Sequence, residues 1–179
     1  MRRRALMTAA LLVPPLGVVA GRARAQNLLD LFAGTGAGAT RFVELVTIGN
    51  NFEIESGRVL LSRSTHPQIR DFAQKMVEQH TALNAELAAN PEASSRTPAA
   101  LDDKRTRMLI TLKEQEGEDM LNRYYVQQQV EAHQEAVPVY EAYAARGEVA
   151  SLKSFAERNL PVVRQHLAMV QALQAPNAG

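Results

Sequence analysis

The chain contains no cysteine. That absence excludes disulfides, thiolate metal ligands, a cysteine nucleophile and a lipid-modified N-terminal cysteine. A fold built from it must rest on its own apolar core. No apolar run is long and unbroken enough to span a bilayer: the longest, Ala5 to Ala20, is interrupted by Pro14, Pro15 and Gly17. Clustered positive charge is also missing. Residues 1–25 hold five of the 20 Lys and Arg residues and none of the 19 Asp and Glu residues, so the remainder has 15 basic against 19 acidic side chains, a net of −4. Without a basic stripe, nucleic acid is not an expected partner, because phosphate contacts need grouped cations. No segment sustains period-two alternation, which argues against strands. Gly34, Gly36 and Gly38 have no preceding strand and so make no phosphate loop. No serine stands in a nucleophile-elbow pattern.

What is present begins with an export signal. Arg2, Arg3 and Arg4 form a basic start, the apolar stretch follows, and Ala23-Arg24-Ala25 is a cleavage site that would leave Gln26 first. Residues 1–25 are therefore expected to be a secretory signal peptide. The protein is expected to be exported, with the periplasm as its location and no membrane segment in the mature chain. Ala5 and Leu6 after the arginines depart from a twin-arginine pattern, which favours the ordinary route. Residues 26–40 read as a flexible leader with one turn near Leu28–Phe32. The 154 residues from 26 to 179 suffice for one domain with a sizeable core.

From about residue 41 the pattern is helical. The apolar spacing predicts helices over 41–62, 67–89, 101–115, 118–145 and 149–173, with 174–179 as a tail. Pro67 opens the second helix, residues 90–98 form a polar loop with two prolines, Gly117 marks a bend, and Arg146-Gly147 ends the fourth helix. His66, just before Pro67, reads as an exposed capping residue. Pro138 and Pro161 lie inside helices and predict ordinary curvature. The fold class is all-α: an up-down four-helix bundle with an extra short helical segment.

Three of the four histidines repeat one local pattern, Val77-x-x-His80, Val130-x-x-His133 and Val163-x-x-His166. Residues three and four apart share a helix face, and each apolar stripe continues past its histidine, through Leu83 and Leu87, Val137 and Tyr140, and Met169, Val170 and Leu173. Three helices thus aim an imidazole inward, and a shared metal centre is the first reading. The opposing one is three packing histidines, each bonded to a neighbouring carbonyl or carboxylate.

On the first helix the apolar side runs through Gly49 and Ser56, flanked by Glu53 and Glu55. Glu53 aligns with Val46, Gly49 and Leu60 and is the better placed to turn inward. On the fourth helix Asn122, Val126, Gln129 and His133 share a face, beside Tyr124 and Tyr125. No Glu-x-x-His occurs anywhere, so the di-iron carboxylate centre built on that motif is not expected. The candidate metal ligands are Glu53, Glu55, His80, His133 and His166. Imidazole-rich sites take one transition metal, with Fe, Zn, Cu or Mn as candidates. Met76, Met108, Met120 and Met169 are dispersed and read as core filler.

The motifs also occur in a recognisable order: Asn51-Phe52-Glu53-Ile54-Glu55-Ser56-Gly57, Ile69 to Thr81 around Met76 and His80, Tyr125-Val126-x-x-Gln129-Val130-Glu131-Ala132-His133, and Phe155-Ala156-x-x-x-Leu160-Pro161-x-x-x-x-His166-Leu167. Over residues 41–173 the chain resembles the bacterial domain-of-unknown-function family 4142, exported proteins of the ferritin-like superfamily. The resemblance implies a ferritin-like four-helix bundle and no particular reaction. It also implies two departures, because Gln79 and Asn122 stand where the family tends to carry aspartate. A metal-binding protein with a stress or redox role is the leading functional expectation. An oxidoreductase using the metal and nearby tyrosines is a further one. The alternative class is a non-enzymatic bundle with structural histidines that binds a cell-envelope partner.

Overall fold

The computed structural model describes residues 37–96 and 100–174. The expected signal peptide, most of the leader, and the tail after Gln174 lie outside the described residues. Within them the fold is all helical, with helices α1 (Ala37–Arg63), α2 (Pro67–Ala88), α3 (Pro91–Ser94), α4 (Asp103–Lys113), α5 (Glu118–Arg146) and α6 (Ala150–Gln174). Four are long and two are short. The first helix starts inside the segment expected to be leader, and the short α3 falls where a plain loop was expected.

The helix ends follow local chemistry. Asn90 and Asp102 accept from Glu92 N and Arg105 N, capping α3 and α4. Arg70 donates to the carbonyls of Leu61 and Ser64, both at 2.6 Å, and so satisfies the open end of α1. Gly117 takes a positive φ of 79° between α4 and α5, a conformation that costs glycine little. It separates the two helices, so α4 is an element of its own. His66 occupies the N-cap position of α2, but its side chain makes no capping bond and is half-buried rather than exposed. Pro138 and Pro161 sit inside continuous α5 and α6.

The long helices run in senses that their contacts define. Asn50 on α1 bonds to Asn84 and His80 on α2, while Gly57 meets Ala73 and Val77, so α1 and α2 are antiparallel. Phe42 stacks on Tyr143 and Ser56 bonds to Gln129, so α1 and α5 are also antiparallel. The second helix of each hairpin returns along the first: His133 meets His166 and Tyr140 meets Phe155 between α5 and α6. It follows that α2 and α5 point the same way. Simple up-down alternation therefore holds only within each hairpin. Between the hairpins stand the short α3 and α4, with α4 laid against α1 and α5.

Burial forms two apolar layers. Phe42, Val46, Tyr140, Tyr143, Leu152 and Phe155 pack at one end, and Leu60, Phe72, Met76, Leu121, Tyr125 and Val170 at the other. A smaller cluster of Phe52, Leu109 and Ala132 lies under α4. Of the four methionines read as core filler, Met76 is fully buried, whereas Met120 is exposed. Between the two layers lies a polar one: Asn50, Glu53, Ser56, His80, Gln129, His133 and His166, all buried.

Candidate metal centre

His80 on α2, His133 on α5 and His166 on α6 meet near the middle of the long helices. They are 5 %, 1 % and 1 % exposed, and their ring centroids are 5.2–5.8 Å apart. One nitrogen from each ring lies within 4.8 Å of the other two. The Val-x-x-His repeat accounts for this. Burying each valine's side of the helix turns the following imidazole to the interior, and Val130 and Val163 are themselves buried.

One nitrogen of each ring has an oxygen partner. His80 Nδ1 lies 2.9 Å from Asn50 Oδ1, and His133 Nδ1 lies 2.9 Å from the Gln129 carbonyl oxygen. His166 Nε2 is bonded to Gln79 Oε1. Asn50 is held in turn, donating to Asn84 Oδ1 at 2.9 Å while Asn84 donates to Asn51 Oδ1 at 2.9 Å. A carbonyl oxygen only accepts, so each of these ring nitrogens carries the proton. The lone pairs are left on His80 Nε2, His133 Nε2 and His166 Nδ1, all three buried without a hydrogen-bond partner. The outer bonds thus set the tautomer that a metal requires, as second-shell contacts do at histidine sites.

Charge follows the same logic. Burial pushes His133 down to about 4 and His166 down to about 3, the latter aided by His133 and Lys75. Burial also holds His80 well below its ordinary value, with His133 and His166 adding to the effect. At neutral pH the centre presents three uncharged imidazoles. These residues could hold a metal ion. Three nitrogens at about 2.0–2.1 Å from one zinc-like ion stand closer together than 4.8 Å, so small side-chain shifts would complete the closure.

Glu53 turns inward and is 3 % exposed. Burial raises its carboxyl to about 8, against the opposing influence of Gln129 and Arg105. Its Oε1 lies 3.8 Å from His133 Nδ1, the nitrogen bonded to the Gln129 carbonyl. With the acid protonated and the imidazole neutral, this is a polar contact and not an ion pair. Glu55 lies elsewhere. It is half-exposed and paired with Arg58 at 2.9 Å, on the outer side of α1. The expectation that it joins the centre is therefore corrected: two residues along a helix turn a side chain by about 200°, which sends the neighbour of an inward Glu53 outward.

The sequence pattern did not single out Asn50, and it marked Gln79 only as a departure from the aspartate that the family tends to carry. Asn50 carried a usable signal, because it precedes Glu53 by one helical turn. Gln79 adjoins His80 but reaches His166 on another helix, a pairing with no local signature. Gln129 faces inward as expected, donating to Ser56 Oγ at 3.1 Å. Asn122 is buried with Oδ1 unpartnered.

No curated protein and no solved structure matches the chain. A family model does: the one described as a domain of unknown function, DUF4142, matches residues 32–173. The chain belongs to the DUF4142 family.

Proposed function

We propose that this protein binds one transition-metal ion through His80, His133 and His166, with Glu53 as the acidic partner of His133. The observation that carries this reading is the agreement of three free lone pairs: one nitrogen of each ring is held by an oxygen, and the other is buried without a partner, while the three rings offer nitrogens within 4.8 Å of one another. Packing histidines need no such agreement.

We further read the fold as a ferritin-like four-helix bundle. The parallel α2 and α5, joined by one long connection, support it, since ferritin-like folds carry one such crossover. Among the described residues, Glu53 is the one carboxylic acid buried beside the histidines, so the chemistry is that of a mononuclear, imidazole-rich site. We place the protein in the periplasm, in metal binding or a stress-related redox role, on the basis of the N-terminal signal pattern. No helix of the described residues is long and apolar enough to cross a membrane. The partner-binding alternative would rest on an exposed apolar face, whereas the exposed large hydrophobics among the described residues are Ile110 and Met120, on different helices.

The test is elemental mass spectrometry on untagged protein purified without chelator. Near-stoichiometric Fe, Zn, Cu or Mn is expected. His133→Ala should lower bound metal while helicity stays largely intact. A wild-type protein that stays empty on titration with each metal, or a His133→Ala variant with unchanged content, would remove the reading.

A further inference from the structure

Beside the three histidines lies a cavity of about 90 Å³, bordered by Glu53, His80 and His133 on one side. Its other walls are mostly apolar, from Val46, Ala132, Val139 and Val163. Its outer end is formed by half-buried Leu45 and Ala136 and by the ion pair of Arg105 with Glu135, 2.8 Å long. Five of the residues lining it carry buried polar atoms with no hydrogen-bond partner: Glu53 Oε2, Arg105 Nε, Tyr140 OH and the Nε2 atoms of His80 and His133. Arg105 comes from α4, the helix of the crossover, and is 9 % exposed. Gly49 borders the same space, and a Cβ added there would meet nothing within 4 Å.

Unpartnered buried polar atoms around an apolar cavity need an explanation, because each costs free energy unless something occupies the space. The volume suits about three waters, and hence a ligand of two or three heavy atoms. His80 and His133 supply one wall, so such a ligand could reach a metal held by them from the side the third histidine leaves open. A divalent ion on neutral imidazoles keeps its positive charge, and Arg105 adds a guanidinium at the cavity edge. Both favour an anion.

We infer that the cavity is the binding pocket for a small anion of two or three heavy atoms, which coordinates the metal and is held by Arg105. The inference rests on the metal-binding reading above and adds the class of ligand and its route, past Leu45 and Gly49.

The experiment loads the full mature chain with cobalt(II), whose visible bands follow coordination, and titrates azide as the probe. Wild type should show saturable azide binding with a spectral change. Gly49→Leu should keep its cobalt while weakening azide at least about tenfold, because the added side chain fills the pocket. If Gly49→Leu does not fold, Leu45→Trp at the half-buried mouth should slow azide binding in stopped-flow measurements. A chain that takes up no cobalt overturns the metal reading and this inference together. A cobalt-loaded chain with no azide response, or folded variants that bind azide at wild-type strength and speed, overturns this inference alone.

Discussion

His80 donates its Nδ1 proton to Asn50 Oδ1 across the α1–α2 hairpin at 2.9 Å. Asn50 is itself anchored by Asn84, one turn beyond His80 on the same helix. The hairpin therefore fixes both the position of the ring and the nitrogen it offers to the centre. Breaking this bond tests whether the tautomer matters. Asn50→Ala should weaken metal binding by about 10–100-fold, as removal of second-shell partners does at histidine sites. It should also destabilise the metal-free fold by about 1–3 kcal/mol, because His80 Nδ1 is left buried and unpaired. Competition with a chromophoric chelator and urea unfolding measure the two effects. Loss of stability with unchanged metal affinity would make Asn50 a packing residue only.

Gln79 gives the converse experiment. Its side-chain oxygen takes the Nε2 proton of His166, and it is half-buried, so a charge there is tolerable. Gln79→Glu replaces a neutral acceptor by a carboxylate, which makes the imidazole a stronger ligand. Metal affinity should rise about tenfold. The apo variant should also hold a proton on His166 to higher pH than wild type, readable by NMR titration. An unchanged affinity would mean that this contact does not govern how His166 presents Nδ1.

The metal-free protein should be most stable near pH 6.5. The sign follows from bound protons. Between about 4.5 and 6.5 the unfolded chain protonates its histidines, while burial keeps His80, His133 and His166 neutral in the fold. The unfolded state then holds more protons, even after counting the one Glu53 keeps, so stability rises with pH. Above 6.5 the unfolded histidines are neutral too, and only Glu53 differs, protonated in the fold up to about 8. Stability then falls with pH. Thermal melts of chelator-treated protein across pH 5–9 should trace this maximum. Glu53→Gln should flatten the alkaline side and leave the acid side in place. A wild-type profile that keeps rising through pH 8 would contradict the buried, protonated acid.

How much of this could be read in advance depended on the range of the interactions. The helices were legible because burial imposes a 3.6-residue period on apolar positions. The convergence of three imidazoles was legible for the same reason, since each valine marks its histidine's face. Glu53 against Glu55 was not decided in this way: the angle favours Glu53 only slightly, since the two flank the apolar stripe on opposite sides. The direction of α5 was not legible either, because residues 89–117 read only as a loop and a helix, and nothing local says where such a connection ends. Nor were the outer bonds to Asn50 and Gln79, which depend on how three helices are set against one another. Gly49 falls on the inner side of the first helix by its spacing, but that it borders a cavity is a property of everything around it.

Gly49 and Gly57 of α1 make a paired prediction about that space. At Gly57 a Cβ would come within 2.7 Å of Val77 Cγ2 and 3.2 Å of the Ala73 carbonyl oxygen, so α1 and α2 depend on its missing side chain for their close approach. At Gly49 a Cβ meets nothing within 4 Å. Both residues are helical, so alanine gains the same backbone propensity, about 0.5–1 kcal/mol. Gly49→Ala should therefore stabilise the protein by roughly that amount. Gly57→Ala should be destabilising by about 1–3 kcal/mol, because overpacking against the backbone of Ala73 outweighs the propensity. Urea midpoints of the two variants, compared at equal slope, decide the matter. If both move the same way, the spacing of α1 on α2 is not set at Gly57, and the register that brings Asn50 to His80 must be held elsewhere.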